Sequence, residues 1–206
     1  MNPNGLKTDP FNIIITGVGG QGNVMASRVL GSMFVNNGYY VTIGETFGAS
    51  QRGGSVMSHL RISKGSSWSP QMPKGRADII VSLEPIEAIR VLADYSNRET
   101  RVLTNTRPIY PVTVIKGEAT YPSLEAMKDE VCTILPHTRF IDATEEAIKL
   151  DSPILANIIM IGAVCGMALL PLERDDFRKA IVQRVRTDQI DLNMNAFDIG
   201  FSLIKR

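Results

Sequence analysis

Phe11-Asn12-Ile13-Ile14-Ile15-Thr16-Gly17-Val18-Gly19-Gly20-Gln21-Gly22-Asn23 decides the fold. The short β-branched run from Phe11 to Thr16 reads as a buried strand. Gly17 to Gly22 form a glycine loop, and a mostly apolar helix follows from about Gln21 to Asn37, stopped by Gly38. Strand, glycine loop and helix in that order build an anion site: backbone N–H groups at the helix start face outward with the helix dipole behind them. Gly17, Gly19 and Gly22 satisfy GxGxxG. In that motif the first glycine permits a tight turn, the second lets backbone approach a phosphate, and the third packs helix on strand. The plain alternative is a tight turn without a ligand. A P-loop is excluded, because Asn23-Val24 stand where Lys and Ser/Thr are needed.

The same alternation continues down the chain. Tyr39 to Gly44 is a second strand ending at Glu45, placed somewhat late for the ribose-binding acid expected about 20 residues after a dinucleotide loop. A glycine-rich loop from Phe47 to Ser55 leads into a strand with Val56, Leu60 and Ile62 on one face. Further strands are expected at Ala77–Leu83, Arg101–Thr104, Val112–Ile115 and Phe140–Ile141. Helices are expected from Pro85, with Ile86, Ile89, Leu92 and Ala93 inward, and from Ser123 to Leu135. Another starts at a Ser152-Pro153 cap, and two more follow, one carrying Phe177, Ile181 and Val185 and the last running towards Ile204. Together these give a single α/β domain spanning 1–206, a three-layer sandwich on a Rossmann-like, mostly parallel sheet. The step from the second to the third strand without a helix implies one antiparallel pairing, hence a mixed sheet.

Composition narrows the function. A length of 206 residues suits one domain of roughly 100–200 residues. A net charge of +1 gives no electrostatic footprint for nucleic acid or a membrane surface. Residues 154–170 are apolar but bracketed by Pro153 and Pro171, short of the ~20 residues a span needs. The polar start, broken by Pro3, Gly5 and Pro10, reads as a flexible lead-in and no signal peptide, so a cytoplasmic location is expected. Cys132 and Cys165 alone cannot supply a four-thiolate cluster, and no metal site is expected.

Two longer motifs carry a resemblance. Gly17-Val18-Gly19-Gly20-Gln21-Gly22 and Gly48-Ala49-Ser50-Gln51-Arg52-Gly53-Gly54-Ser55, the latter followed by Ser58-His59-Leu60-Arg61, resemble the gamma domain of the 2-oxoacid:ferredoxin oxidoreductases. Within that family the likeness is to the separate beta subunit of the indolepyruvate enzymes. Ser69-Pro70-Gln71-Met72-Pro73, Ala77-Asp78 and Leu83-Glu84-Pro85 resemble the family's next stretch, and the helix with Asn157 and Gly162 does so more loosely. The resemblance implies oxidative decarboxylation of a 2-oxoacid to an acyl-CoA, using thiamine diphosphate, Mg and iron–sulfur clusters, with electrons passing to ferredoxin. No thiamine and magnesium motif is present here, so the chain reads as a non-catalytic subunit, carrying no cofactor alone. The thiamine and cluster chemistry would belong to a larger partner subunit.

Candidate binding residues for CoA or a related phosphate ligand are Gly17, Gly19, Gly20, Gln21, Gly22, Glu45, Ser50, Gln51, Arg52, Gly53, Gly54, Ser55 and Asn105, with no catalytic residue among them. Arg52 offers a planar fork for phosphate or carboxylate. Asn105 stands at the carboxyl end of a strand, where open α/β sheets place ligands. His59, without an acidic or thiol neighbour in sequence, reads as structural. Two other classes stay open: a free-standing dinucleotide oxidoreductase using Gly17, Gly19, Gly22 and Glu45, and an interaction domain whose glycine loop holds nothing.

Overall fold

The computed structural model describes residues 5–48 and 54–204. Its strands are β1 (Phe11–Val18), β2 (Tyr40–Phe47), β3 (Ser55–Ser63), β4 (Ile79–Ser82), β5 (Arg101–Asn105) and β6 (Thr138–Ile141). Its helices are α1 (Asn23–Asn36), α2 (Pro85–Tyr95), α3 (Val112–Ile115), α4 (Leu124–Ile134), α5 (Ala143–Ile148), α6 (Ala156–Gly166), α7 (Arg174–Ile181) and α8 (Ile190–Ile204).

One sheet holds all six strands in the order β2-β3-β1-β4-β5-β6. The half from β1 to β6 is parallel, as strand–helix alternation requires. On the other side β3 lies between β1 and β2, antiparallel to both. The sheet is mixed and mostly parallel, but it contains two antiparallel pairings where one was expected. A strand returning directly from β2 fills the slot beside β1 that a helical crossover would have left to β2.

Ile13, Ile14 and Ile15 are fully buried, facing alternate layers. Ile13 and Ile15 join the main core with α1, α6, α7 and α8, while Ile14 packs with Met72, Ile80, Val91 and Tyr95 under α2. Burying each such side chain is worth about 1.5–3 kcal/mol. The α6–α8 pair interlocks backbone on backbone: a Cβ at Gly162 would lie 2.1 Å from Phe197 O, and one at Gly200 would lie 1.9 Å from Ile159 O. Phe177 and Phe197 stack beside this contact at 4.4 Å.

Several local expectations need correction. Val112–Ile115 is one turn of helix with no buried residue, not a strand, because β6 already occupies the free side of β5. The inward face of α2 carries Glu87, Ala88, Val91 and Tyr95, whereas Ile86, Ile89 and Leu92 are only partly buried and Ala93 is exposed. Ser152 makes no side-chain cap; Pro153 opens a short 3-10 turn, and α6 begins at Ala156. Gly17 is no turn residue, since β1 continues through Gly17 and Val18, which pair with Val56 and Ser55.

Candidate functional site

The extended pairing of β1 with β3 delivers the chain to the glycine loop in a fixed register. Gly19 N–H donates to Gly54 O at 2.8 Å, and Gln21 N–H closes a turn on Val18 O at 3.2 Å. The Gln21 side chain folds back underneath. Its Oε1 accepts from Val18 N–H at 2.7 Å, and its Nε2 donates to Leu83 O at 2.9 Å. Gly17 must lack a side chain for this, because its Cβ would lie 2.6 Å from Gln21 Oε1.

The Leu83 carbonyl is a shared anchor. Asn105 Nδ2 also donates to it at 3.1 Å and to Thr144 Oγ1 at 2.8 Å, while Asn105 Oδ1 accepts from Thr144 N–H at 3.2 Å. The carboxyl ends of β1, β4 and β5 are thereby tied together by two amide side chains. Gln21 and Asn105 both stand at the site, but as its frame, with their hydrogen-bonding capacity turned inward.

What remains for a ligand is backbone. Gly20 and Gly22 have φ of 103° and 82°, a left-handed conformation that suits glycine. Their N–H groups have no partner among the described residues, and those of Asn23, Val24 and Met25 in the first turn of α1 have none within the helix. Gly22 begins α1 without a side-chain cap, its carbonyl held by Asn157 Nδ2 at 3.4 Å. Asn23 Nδ2 donates to Val18 O, and its Oδ1 is buried without a partner. Free N–H groups at a helix start favour an anion.

A cleft of about 440 Å³ lies against this loop, bounded by Gly20, Gln21, Leu83, Arg107, Thr144 and Ile154. Arg107 supplies a cation on the wall, held among the described residues only by an exposed ion pair with Glu145 at 3.0 Å. Such a pair is weak enough for an incoming anion to displace.

Arg107 is positioned by Glu84, which is fully buried. Glu84 Oε2 caps α2 through Glu87 N–H at 3.0 Å, while its Oε1 accepts from Ile109 N–H at 3.2 Å and from the Tyr121 hydroxyl. Burial first, and then Glu84, push the Tyr121 phenol pKa up. Neither Glu84 nor Arg107 was singled out for a role from sequence. The acid directly before Pro85 at a helix start was the available signal for Glu84. Nothing local marks Arg107.

The other candidates are spread apart. Glu45 pairs with Ser58 on β3, two strands from Ile15 of β1, or roughly 10 Å at normal strand spacing. It faces Arg28 on α1 at 3.7 Å rather than the loop. Gly54 supplies the carbonyl that holds Gly19, and Ser55 Oγ donates to the buried Glu87 at 2.6 Å. Ser50, Gln51, Arg52 and Gly53 lie outside the described residues. His59 is buried against Tyr95, ring centres 5.1 Å apart, and burial, then the Arg61 charge, lower its pKa. Burial also pushes the Cys165 thiol up to about 12, leaving it unreactive. Among the described residues no group of three His, Cys, Asp or Glu could hold a metal ion, and no helix is long and apolar enough to cross a membrane.

The sequence model of the pyruvate ferredoxin/flavodoxin oxidoreductase family matches residues 12–203. The chain belongs to that family. The indolepyruvate oxidoreductase subunit IorB of Pyrococcus horikoshii is 40% identical over 197 residues, covering 95% of this chain and 96% of that one. Two solved family folds superpose well. The pyruvate oxidoreductase subunit PORC of Thermotoga maritima gives a TM-score of 0.71 at 19% identity, covering 95% of this chain and 97% of that one. The 2-oxoglutarate:ferredoxin oxidoreductase of Magnetococcus marinus, solved with 2-oxoglutarate, coenzyme A and succinyl-CoA bound, gives 0.73 at 18% identity. There the match covers 97% of this chain but 32% of the other, so the fold recurs as one part of a longer polypeptide.

Proposed function

We propose that this chain is the gamma-type, non-catalytic subunit of an indolepyruvate (arylpyruvate) ferredoxin oxidoreductase acting in the cytoplasm. A larger partner subunit carries thiamine diphosphate, Mg and the iron–sulfur clusters and passes electrons to ferredoxin. This chain presents its glycine-loop cleft to CoA or another phosphate-bearing ligand. The observation that carries the reading is near end-to-end similarity, at 40% identity, to a protein named as an indolepyruvate oxidoreductase subunit. The site chemistry agrees in kind. Gly20, whose N–H has no partner among the described residues, lines a cleft that Arg107 also lines, next to the start of α1, a fit for phosphate. Two cysteines, one of them buried in the core, do not fit a cluster. The free-standing dinucleotide reading loses its ribose acid, because β3 stands between Glu45 and the loop.

The test is reconstitution. Purified alone, the chain should be colourless, iron-free and without turnover. Co-expressed with its larger subunit, it should support reduction of ferredoxin that depends on both a 2-oxoacid and CoA. Turnover by the isolated chain would overturn the assignment. In the assembled enzyme, Arg52→Lys should impair CoA dependence nearly as much as Arg52→Ala, since lysine lacks the fork.

A further inference from the structure

At the opposite end of the sheet lies a larger cleft, of about 850 Å³, bounded by Lys7, Asn12, Arg61, Trp68, Arg76 and Asp78 among others. Arg61 is its unusual member. It lies on β3 beside Asn12 of β1 and is only 6% exposed. Buried charges are normally paired, because removing an ion from water is costly. Arg61 nevertheless forms no ion pair among the described residues.

All its partners are neutral. Nε donates to Asn12 Oδ1 at 3.2 Å, and Nη1 donates to the carbonyls of Ser69 and Gln71 at 3.2 and 3.5 Å. The indole of Trp68 covers the guanidinium at 5.1 Å. Those contacts fix the plane of the fork and leave Nη2 without a partner among the described residues, although it is not among the fully buried unsatisfied atoms. Arg61 lines the cleft, and Nη2 is the donor group of its fork left to serve it. Of the three acids on the cleft wall, Asp9 is exposed and the other two are engaged elsewhere. Asp78 accepts from Asn12 N–H at 2.7 Å and from Thr8 Oγ1 at 3.1 Å, and Glu99 holds Lys7 at 3.2 Å.

We propose that this cleft is a second oxyanion site, in which a carboxylate or phosphate group takes the free edge of the Arg61 guanidinium. A fork already desolvated and held in plane needs no further ordering to accept such a group. The site is independent of the glycine loop. Asn12 and Gly17 are five residues apart on β1, roughly 16 Å.

Trp68 is the only tryptophan in the chain, so its fluorescence reads this cleft and not the glycine loop. Phosphate and acetate should be titrated separately into the full-length protein, with chloride at matched ionic strength as the reference. A saturable change in emission is expected for at least one of them, and which one responds separates a phosphate site from a carboxylate site. Arg61→Lys should weaken it roughly tenfold by loss of the fork, and Arg61→Met should abolish it. Gly20→Ala should leave it intact. Should the Arg61 variants fail to fold, the Arg61 Nε–H NMR signal of the wild type, followed in the same titrations, decides the matter. A response indistinguishable from chloride, by emission and by NMR, overturns the proposal, and so does an unchanged response in a folded Arg61→Met.

Discussion

The three glycines of the loop should fail for different reasons when given a methyl group, and the order of cost follows from their surroundings. At Gly20 an added Cβ meets nothing within 4 Å, so only the φ of 103° is at issue. Left-handed backbone costs a residue with a Cβ about 1–2 kcal/mol. At Gly17 the φ is ordinary, but the Cβ would sit 2.6 Å from Gln21 Oε1. Displacing that amide breaks its bonds to Val18 and Leu83, for about 1–3 kcal/mol. At Gly22 both penalties combine, because φ is 82° and the Cβ would lie 2.1 Å from the nearly buried Asn157 Nδ2. About 2–5 kcal/mol follows from the sum. For a domain of this size each kcal/mol lowers Tm by about 2–4 °C. Gly20→Ala should therefore melt a few degrees low, and Gly22→Ala roughly 5–20 °C low. The assay is a thermal melt with and without CoA, on the chain alone and in complex with the larger subunit. Wild type saturated at 100 times its Kd gains about 2.7 kcal/mol. Gly20→Ala should fold yet lose most of that gain, because its methyl projects into the space that a phosphate would fill. A full CoA shift retained in Gly20→Ala would refute the anion site, and a lower melting point for Gly20→Ala than for Gly22→Ala would refute the loop geometry.

Gln21→Glu keeps the acceptor for Val18 but sets a carboxylate oxygen against Leu83 O; a loss of about 1–3 kcal/mol and of any CoA-induced shift is expected in the same melts. Gly162→Ala should separate α6 from α8, since its Cβ would lie 2.1 Å from Phe197 O, and cost more than the ~1–3 kcal/mol of ordinary overpacking; urea unfolding measures this. His59 has a folded pKa below its ordinary 6.5, so the unfolded chain takes up a proton first as pH falls. Its contribution is complete above 6.5 and is lost as pH falls from there towards the folded pKa, with a slope of at most about 1.4 kcal/mol per pH unit. His59→Phe, which retains a ring against Tyr95, should flatten that part of the profile; an unchanged slope would assign the acid loss elsewhere.

Local signals were reliable where one segment determines its own state. The strand into Gly17, the helix after Gly22 and the stop at Gly38 all follow from spacing and φ, and Gly38 does carry a φ of 77°. Which strand lies beside which is not local. The alternating pattern of β3 shows that it is a strand but not that it inserts between β1 and β2, and that insertion moves Glu45 away from the loop. Val112–Ile115 has β-branched composition, yet no sheet edge is free beside β5 to receive it. The face of α2 was misplaced because Glu87, a charged residue, is drawn inward by Ser55 across the fold.

The candidate site divides along the same line. Residue type revealed that Gln21 and Asn105 carry strong hydrogen-bonding groups at strand ends, but type carries no direction. Both amides close on Leu83 O, which joins three strands and takes the Gln21 and Asn105 donors away from the ligand side. Arg107 was out of reach for a related reason: its turn is fixed by Glu84, more than twenty residues earlier and fully buried. A ligand at this loop would therefore meet peptide N–H groups, which only proline removes, with Arg107 on the same cleft. Alanine substitution at Gln21 or Asn105 would loosen the frame and lower stability and binding together. Substitution at Gly20, where a methyl meets nothing but solvent, separates the two.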